Sequence, residues 1–263
     1  MRTAVFICQQ SYCNYPRQSN ENFWGLGDVL KGIATAYMAC RTVGIKFYVD
    51  MSNHPLSEFL QLPDHPHQYL VKTGHTKVAS IHFHTMQSIE DFLRYCTNEE
   101  TPLLFSCHGP IVPSYTQECQ EFMQQLLTPT PAFHEFFQRM KPSTPYTIIH
   151  VRAGDSHLLQ ESNDSIEEIV QLFLQHTEPT DVLLSDSPAF RAYVRDHYPS
   201  CRVYDVKICH TGVSTDSVAI QNTLFEFFVA SQATSIKTHS YYEWKSGFMD
   251  NVHKIYGVPL RLF

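Results

Sequence analysis

Apolar residues fall at two spacings along this chain, and the two alternate. Thr3–Cys8 (TAVFIC) and Ile45–Asp50 (IKFYVD) are short apolar runs rich in β-branched and aromatic residues, which predicts strands. Between them Val29, Ile33 and Tyr37, flanked by Leu30, Ala34 and Met38, recur at i, i+4, and Gly44 stands where a left-handed C-terminal cap belongs. The segment therefore reads as a βαβ unit. Further strands are expected at Tyr69–Lys72, Val78–Phe83 and Leu103–Ser106, and helices at Ile89–Cys96, Gln117–Leu127 and Ala132–Met140. Pro142 and Pro145 then interrupt the pattern, since proline lacks an amide donor and steers its neighbour away from helix. The boundary placed there divides the chain into residues 1–142 and 143–263.

Beyond the boundary the alternation is cleaner. Tyr146–Val151, Asp181–Ser185, Cys201–Val206 and Ser235–Thr238 read as strands, with helices at Ile166–His176, Ala189–His197, Ser217–Gln232 and about Tyr241–Tyr256. Strands alternating with helices imply an α/β fold with parallel sheet covered on both faces, and such sheets bind ligands beyond the carboxyl ends of their strands.

Composition narrows the function. With 26 acidic against 19 Lys and Arg residues and a formal net charge of −7, the chain lacks the basic footprint of a nucleic-acid or anionic-membrane binder. Any anionic ligand must be held by a few local donors. No stretch approaches the ~18 apolar residues of a membrane span, and the first sixteen residues lack a signal-peptide pattern. The eight scattered cysteines form no C-x-x-C pair, so reduced thiols and a soluble, cytoplasmic protein are expected. His65 with His67 and His82 with His84 would share a face if extended, but no compact ligand set surrounds either pair and no metal is expected.

Three segments sit where strand-end chemistry belongs. Gly25-Leu26-Gly27-Asp28 opens the first helix, where small residues and free amides can meet a polar group, although the spacing is not that of a dinucleotide fingerprint. Asp28 could instead be only an N-cap. His150-Val151-Arg152-Ala153-Gly154-Asp155 closes a strand, and alternation puts His150 and Arg152 on one side. A guanidinium fork suits a diphosphate, and Asp155 could hold either neighbour. His239 and Ser240 lie at the next strand end, with Ser240 read as a helix N-cap and Ser246 close behind. Asp186, after another strand, could bind a nucleoside or cap the helix starting at Pro188.

Taken in order, Gly25-Leu26-Gly27, the H-V-R-x-G-D run from His150 to Asp155, Asp186, and Ser240 with Trp244 resemble the motifs of the fucosyltransferase superfamily. His150, Arg152, Gly154 and Asp155 match its mid-chain signature, with Ala153 in place of a second arginine. The resemblance implies a GT-B-like fold of two Rossmann-like domains facing across a cleft, the first on the acceptor side and the second binding the nucleotide sugar. It implies an inverting, metal-independent transfer of fucose from a nucleotide sugar, GDP-linked by preference or UDP-linked, to a glycan hydroxyl, without a cofactor. Arg152 would meet the leaving diphosphate, with Gly25, Gly27, His150, Asp155, Asp186, His239, Ser240 and Ser246 binding the donor. Asp28 would be the base and Glu21 its reserve. Other readings are a transferase using UDP-xylose or GDP-rhamnose, a non-catalytic nucleotide-sugar or glycan-binding module, and a thiol hydrolase built on Cys107-His108.

Overall fold

The computed structural model describes residues 1–8, 25–52, 54–64, 80–153, 163–211, 214, 216–241 and 245–263. Their contacts divide the chain into one unit of Met1–His134 with His210–Thr215 and another of Glu135–Cys209 with Asp216–Phe263. The expected strand at Tyr69–Lys72 lies outside the described residues.

In the first unit β1 (Thr3–Ile7) leads to α1 (Leu26–Val43) and β2 (Lys46–Asp50), followed by β3 (Ser80–His82), α2 (Met86–Cys96), β4 (Leu103–His108), α3 (Gln117–Leu126) and the start of α4 (Pro131–Met140). The strands form a parallel sheet in the order β2-β1-β4-β3. The i, i+4 residues Val29, Leu30, Ile33 and Ala34 are buried, and Gly44 ends α1 at φ 69°. Gly32 decides how closely that helix approaches the sheet. A Cβ there would lie 2.3 Å from the Cys107 carbonyl oxygen, a backbone atom that side-chain rotation cannot remove. We expect Gly32→Ala to destabilise the protein by about 1–3 kcal/mol, because the overpacking outweighs the gain in helix propensity. Chemical denaturation checks this; a midpoint at or above wild type would mean that α1 can move off β4.

The second unit continues with β5 (Thr147–Arg152), α5 (Asn163–His176), β6 (Asp181–Ser185), α6 (Pro188–His197), β7 (Arg202–Val203), α7 (Ser217–Ser231), β8 (Ser235–Ser240), α8 (Gly247–Tyr256) and β9 (Leu260–Leu262). Its parallel sheet runs β7-β6-β5-β8-β9, so β5 is central. Ile149, Val151 and Ala153 form one core cluster with Ile169, Val170 and Phe173 of α5 and with Phe190 and Val194 of α6. Helix α7 is apolar almost all round and correspondingly buried. Its Phe225 meets Phe136 and Phe137 of α4, and its Phe227 meets Phe248 and Tyr256 of α8.

The α/β class with parallel sheets is as the sequence predicts, with three local differences. β8 runs through Ser240, which is therefore strand rather than N-cap, and α8 starts at Gly247 with Ser246 at its N-cap. β7 is two residues long, and β9 has no counterpart in the sequence reading. No helix among the described residues is long and apolar enough to cross a membrane.

Candidate functional site

In the second unit the register of the central strand assembles the site. His150 pairs with Thr238 and Arg152 with Ser240 across β5 and β8, so these four side chains share a face at the carboxyl end of the sheet. His150 is buried, and its Nδ1 lies 2.8 Å from Thr238 Oγ1. Burial, reinforced by the neighbouring Arg152 charge, pushes its pKa down to about 3. It is thus a neutral imidazole fixed by a hydroxyl.

Arg152 is half-buried, with Nε 3.9 Å from Asp186 Oδ2. The other carboxylate oxygen of Asp186 accepts the Ala153 amide at 2.8 Å. Asp186 consequently anchors the end of β5 through the Ala153 amide and places a negative charge on the stem side of the guanidinium. It does not cap α6. Ser187 does so, its Oγ accepting the Phe190 amide at 3.2 Å.

His239 is separated from this group by strand alternation. It pairs with Val151 on the opposite face, where its Nδ1 bonds the Phe263 carbonyl at 2.7 Å and its ring packs against Tyr241 and Phe263. Ser246 is buried at the start of α8, and its side chain makes no capping bond. Asp155, Gly154 and Trp244 lie outside the described residues, as does Glu21.

In the first unit, α1 brings a second constellation to the carboxyl ends of β3 and β4. Gly25 is the N-cap, not Asp28, and the Leu26 amide donates to Thr211 Oγ1 at 3.1 Å. A Cβ on Gly25 would approach the His210 ring to 2.7 Å, so a larger residue there requires that ring to move aside. Gly27 lies in the first helical turn. Asp28 Oδ1 sits 2.9 Å from His108 Nε2 and 3.0 Å from Lys31 Nζ, while Lys31 Nζ is 3.0 Å from the same His108 nitrogen. Burial pushes the Asp28 carboxyl up, but the bonds and charges of His108 and Lys31 more than reverse this and hold it well below the usual carboxylate range. The His82 ring lies 4.2 Å from that of His108 and 5.2 Å from that of His84.

Lys31, His108 and His82 are absent from the sequence reading of the transferase site. Lys31 was accessible to it through its i, i+3 spacing from Asp28. Among the described residues no group of three or more His, Cys, Asp or Glu is placed to hold a metal ion, and the cation beside Asp28 and His108 is the Lys31 ammonium. The pair Cys107-His108 does not form a thiol nucleophile and base. Cys107 is buried, with its pKa pushed up to about 12 by burial and its sulfur 3.8 Å from the Gly32 carbonyl oxygen, while His108 turns to Asp28 and Lys31. The described cysteines are all free thiols.

The fold these elements build is the parallel-sheet α/β fold of the GT-B fucosyltransferases. It matches NodZ α-1,6-fucosyltransferase co-crystallised with GDP at a TM-score of 0.57 and 11% identity, over 96% of this chain and 92% of that one. It matches fucosyltransferase NodZ from Bradyrhizobium at 0.56 and 11%, over 96% and 93%. A mutant of Arabidopsis thaliana FUT1 in complex with GDP gives 0.60 and 12%, over 99% and 70%. No family model matches the chain, and no curated protein matches it in sequence.

Proposed function

We propose that the protein is a glycosyltransferase moving fucose from GDP-fucose to a glycan hydroxyl, with inversion at the anomeric carbon and without a metal. The observation that carries this reading is Arg152 at the carboxyl end of the central strand, between the Asp186 carboxylate and a neutral His150. Solved structures of the same fold contain GDP, and one NodZ crystal was soaked with GDP-fucose, which supports a GDP-linked donor. Arg152 would meet the charge that grows on the departing diphosphate, and Ser240, Ser246 and the amides at the start of α8 would complete the cradle.

Asp28 is proposed as the carboxylate that orients the acceptor hydroxyl. The ion pairing that fixes it makes it a weak proton acceptor, so the role of base passes elsewhere. Calorimetric titration with GDP and UDP tests the nucleotide: GDP is expected to bind and UDP to bind weakly or not at all. The reverse order would point to a UDP-linked donor. Asp28→Asn is expected to lower turnover about tenfold or more, a loss of ~1.4 kcal/mol in transition-state stabilisation, with GDP affinity unchanged. Unchanged turnover would remove Asp28 from the site.

A further inference from the structure

We infer that Thr238 is a positioning residue for the donor nucleotide: its hydroxyl donates to His150 Nδ1, which places the imidazole proton on Nε2 and makes that nitrogen a neutral hydrogen-bond donor to an oxygen of the nucleotide. The assignment rests on the nucleotide-binding part of the reading above, and both residues belong to the second unit.

The strand register supplies the juxtaposition. β5 and β8 pair His150 with Thr238 and, two residues on, Arg152 with Ser240, so these side chains stand on one face at the carboxyl end of the sheet. Open parallel sheets bind their ligands at that end. His150 Nδ1 and Thr238 Oγ1 are 2.8 Å apart, and both residues are buried.

The direction of that bond follows from what each choice leaves unpaired. Among the described residues His150 is the one side-chain hydrogen-bond partner of Thr238 Oγ1. If the hydroxyl accepted a proton from Nδ1, its own buried proton would have no acceptor, which is costly, and Nε2 would turn a bare lone pair to the face that Arg152 shares. If the hydroxyl donates, its proton is satisfied and the imidazole proton sits on Nε2. Nε2 makes no hydrogen bond among the described residues and is not one of the buried polar atoms left without a partner, so it is open to a ligand. Burial and the Arg152 charge keep the ring from taking a second proton. His150 thereby adds a fixed donor beside Arg152 without adding charge.

Two measurements test this. Nitrogen NMR of isotope-labelled protein reads the tautomer of His150, identified as the signal missing from His150→Ala. The Nε2–H form is expected in wild type and in Thr238→Ser, and an Nδ1–H form in wild type overturns the proposal. Calorimetric titration with GDP then compares Thr238→Val, which keeps the side chain's shape without the hydroxyl, with Thr238→Ser, which keeps the hydroxyl. Thr238→Val is expected to weaken GDP binding about tenfold, and Thr238→Ser to stay within about threefold of wild type. In the His150→Ala background Thr238→Val should add no further loss, because it acts through the ring. An affinity of Thr238→Val within about twofold of wild type, or the same loss when the imidazole is already absent, overturns the positioning role and leaves the nucleotide reading standing. Failure of the wild-type protein to bind GDP overturns the nucleotide reading, and this assignment with it.

Discussion

Arg152→Ala is expected to lower turnover of GDP-fucose by about 10²–10³-fold while the protein stays folded, the cost typical of removing one fixed donor from a developing negative charge. The argument begins with β5, whose apolar run buries Ile148, Ile149 and Val151 and brings Arg152 out at the strand end. Asp186 anchors the strand end through the Ala153 amide and sets its carboxylate charge 3.9 Å from the Nε of the guanidinium. A donor placed at an anchored strand end would need little reorganisation in the proposed transfer. The contact at 3.9 Å is part-exposed and adds little to stability, so the variant's thermal midpoint should stay within a few degrees of wild type. Arg152→Lys should recover only part of the rate, since an ammonium keeps the charge and loses the fork. Turnover of Arg152→Ala close to wild type would sink the assignment of this residue.

What the sequence makes legible follows from how local each determinant is. β5, β6 and α1 are set by their own apolar spacing, and their observed ends lie within a few residues of those expected. Ser240 misleads because a serine ahead of Tyr241 and Tyr242 looks like a cap. Tertiary pairing with Arg152 carries the strand through it, and β9, only Leu260–Leu262, adds a partner that no local pattern announces. The expected strand at Cys201–Val206 shortens to Arg202–Val203 at the sheet edge, where the Tyr204 carbonyl is taken by the Arg191 side chain. Alternation, which correctly pairs His150 with Arg152, also separates His239 from Thr238 and Ser240 once β8 is extended. The first unit's cluster is the least legible part. Lys31 and His108 are 77 residues apart and meet because β4 runs beneath α1, at the distance Gly32 permits.

Arg191→Met should be the most destabilising of the substitutions considered, by about 3–5 kcal/mol, because it strands a buried carboxylate. Arg191 and Glu226 are both buried, with Nη2 2.6 Å from Oε1, and the same Nη2 donates to the Tyr204 carbonyl at 2.7 Å. One guanidinium thus ties α6, the chain after β7 and α7 together. Burial raises the Glu226 pKa from its ordinary 4.5 to about 7 even with Arg191 lowering it. The folded state therefore binds more protons than the unfolded chain between those values. Glu226's contribution to stability is accordingly fully present below about 4.5 and is lost as the pH rises through about 7. Removing Arg191 raises that pKa further, so the penalty of the substitution should grow from pH 6 to pH 8. Urea unfolding at the two pH values measures this, and a penalty that is equal at both, or larger at pH 6, would show that the pair does not govern Glu226. Arg191→Met combined with Glu226→Gln should recover part of the loss at pH 8, because a neutral amide can stay buried where the unpaired carboxylate cannot.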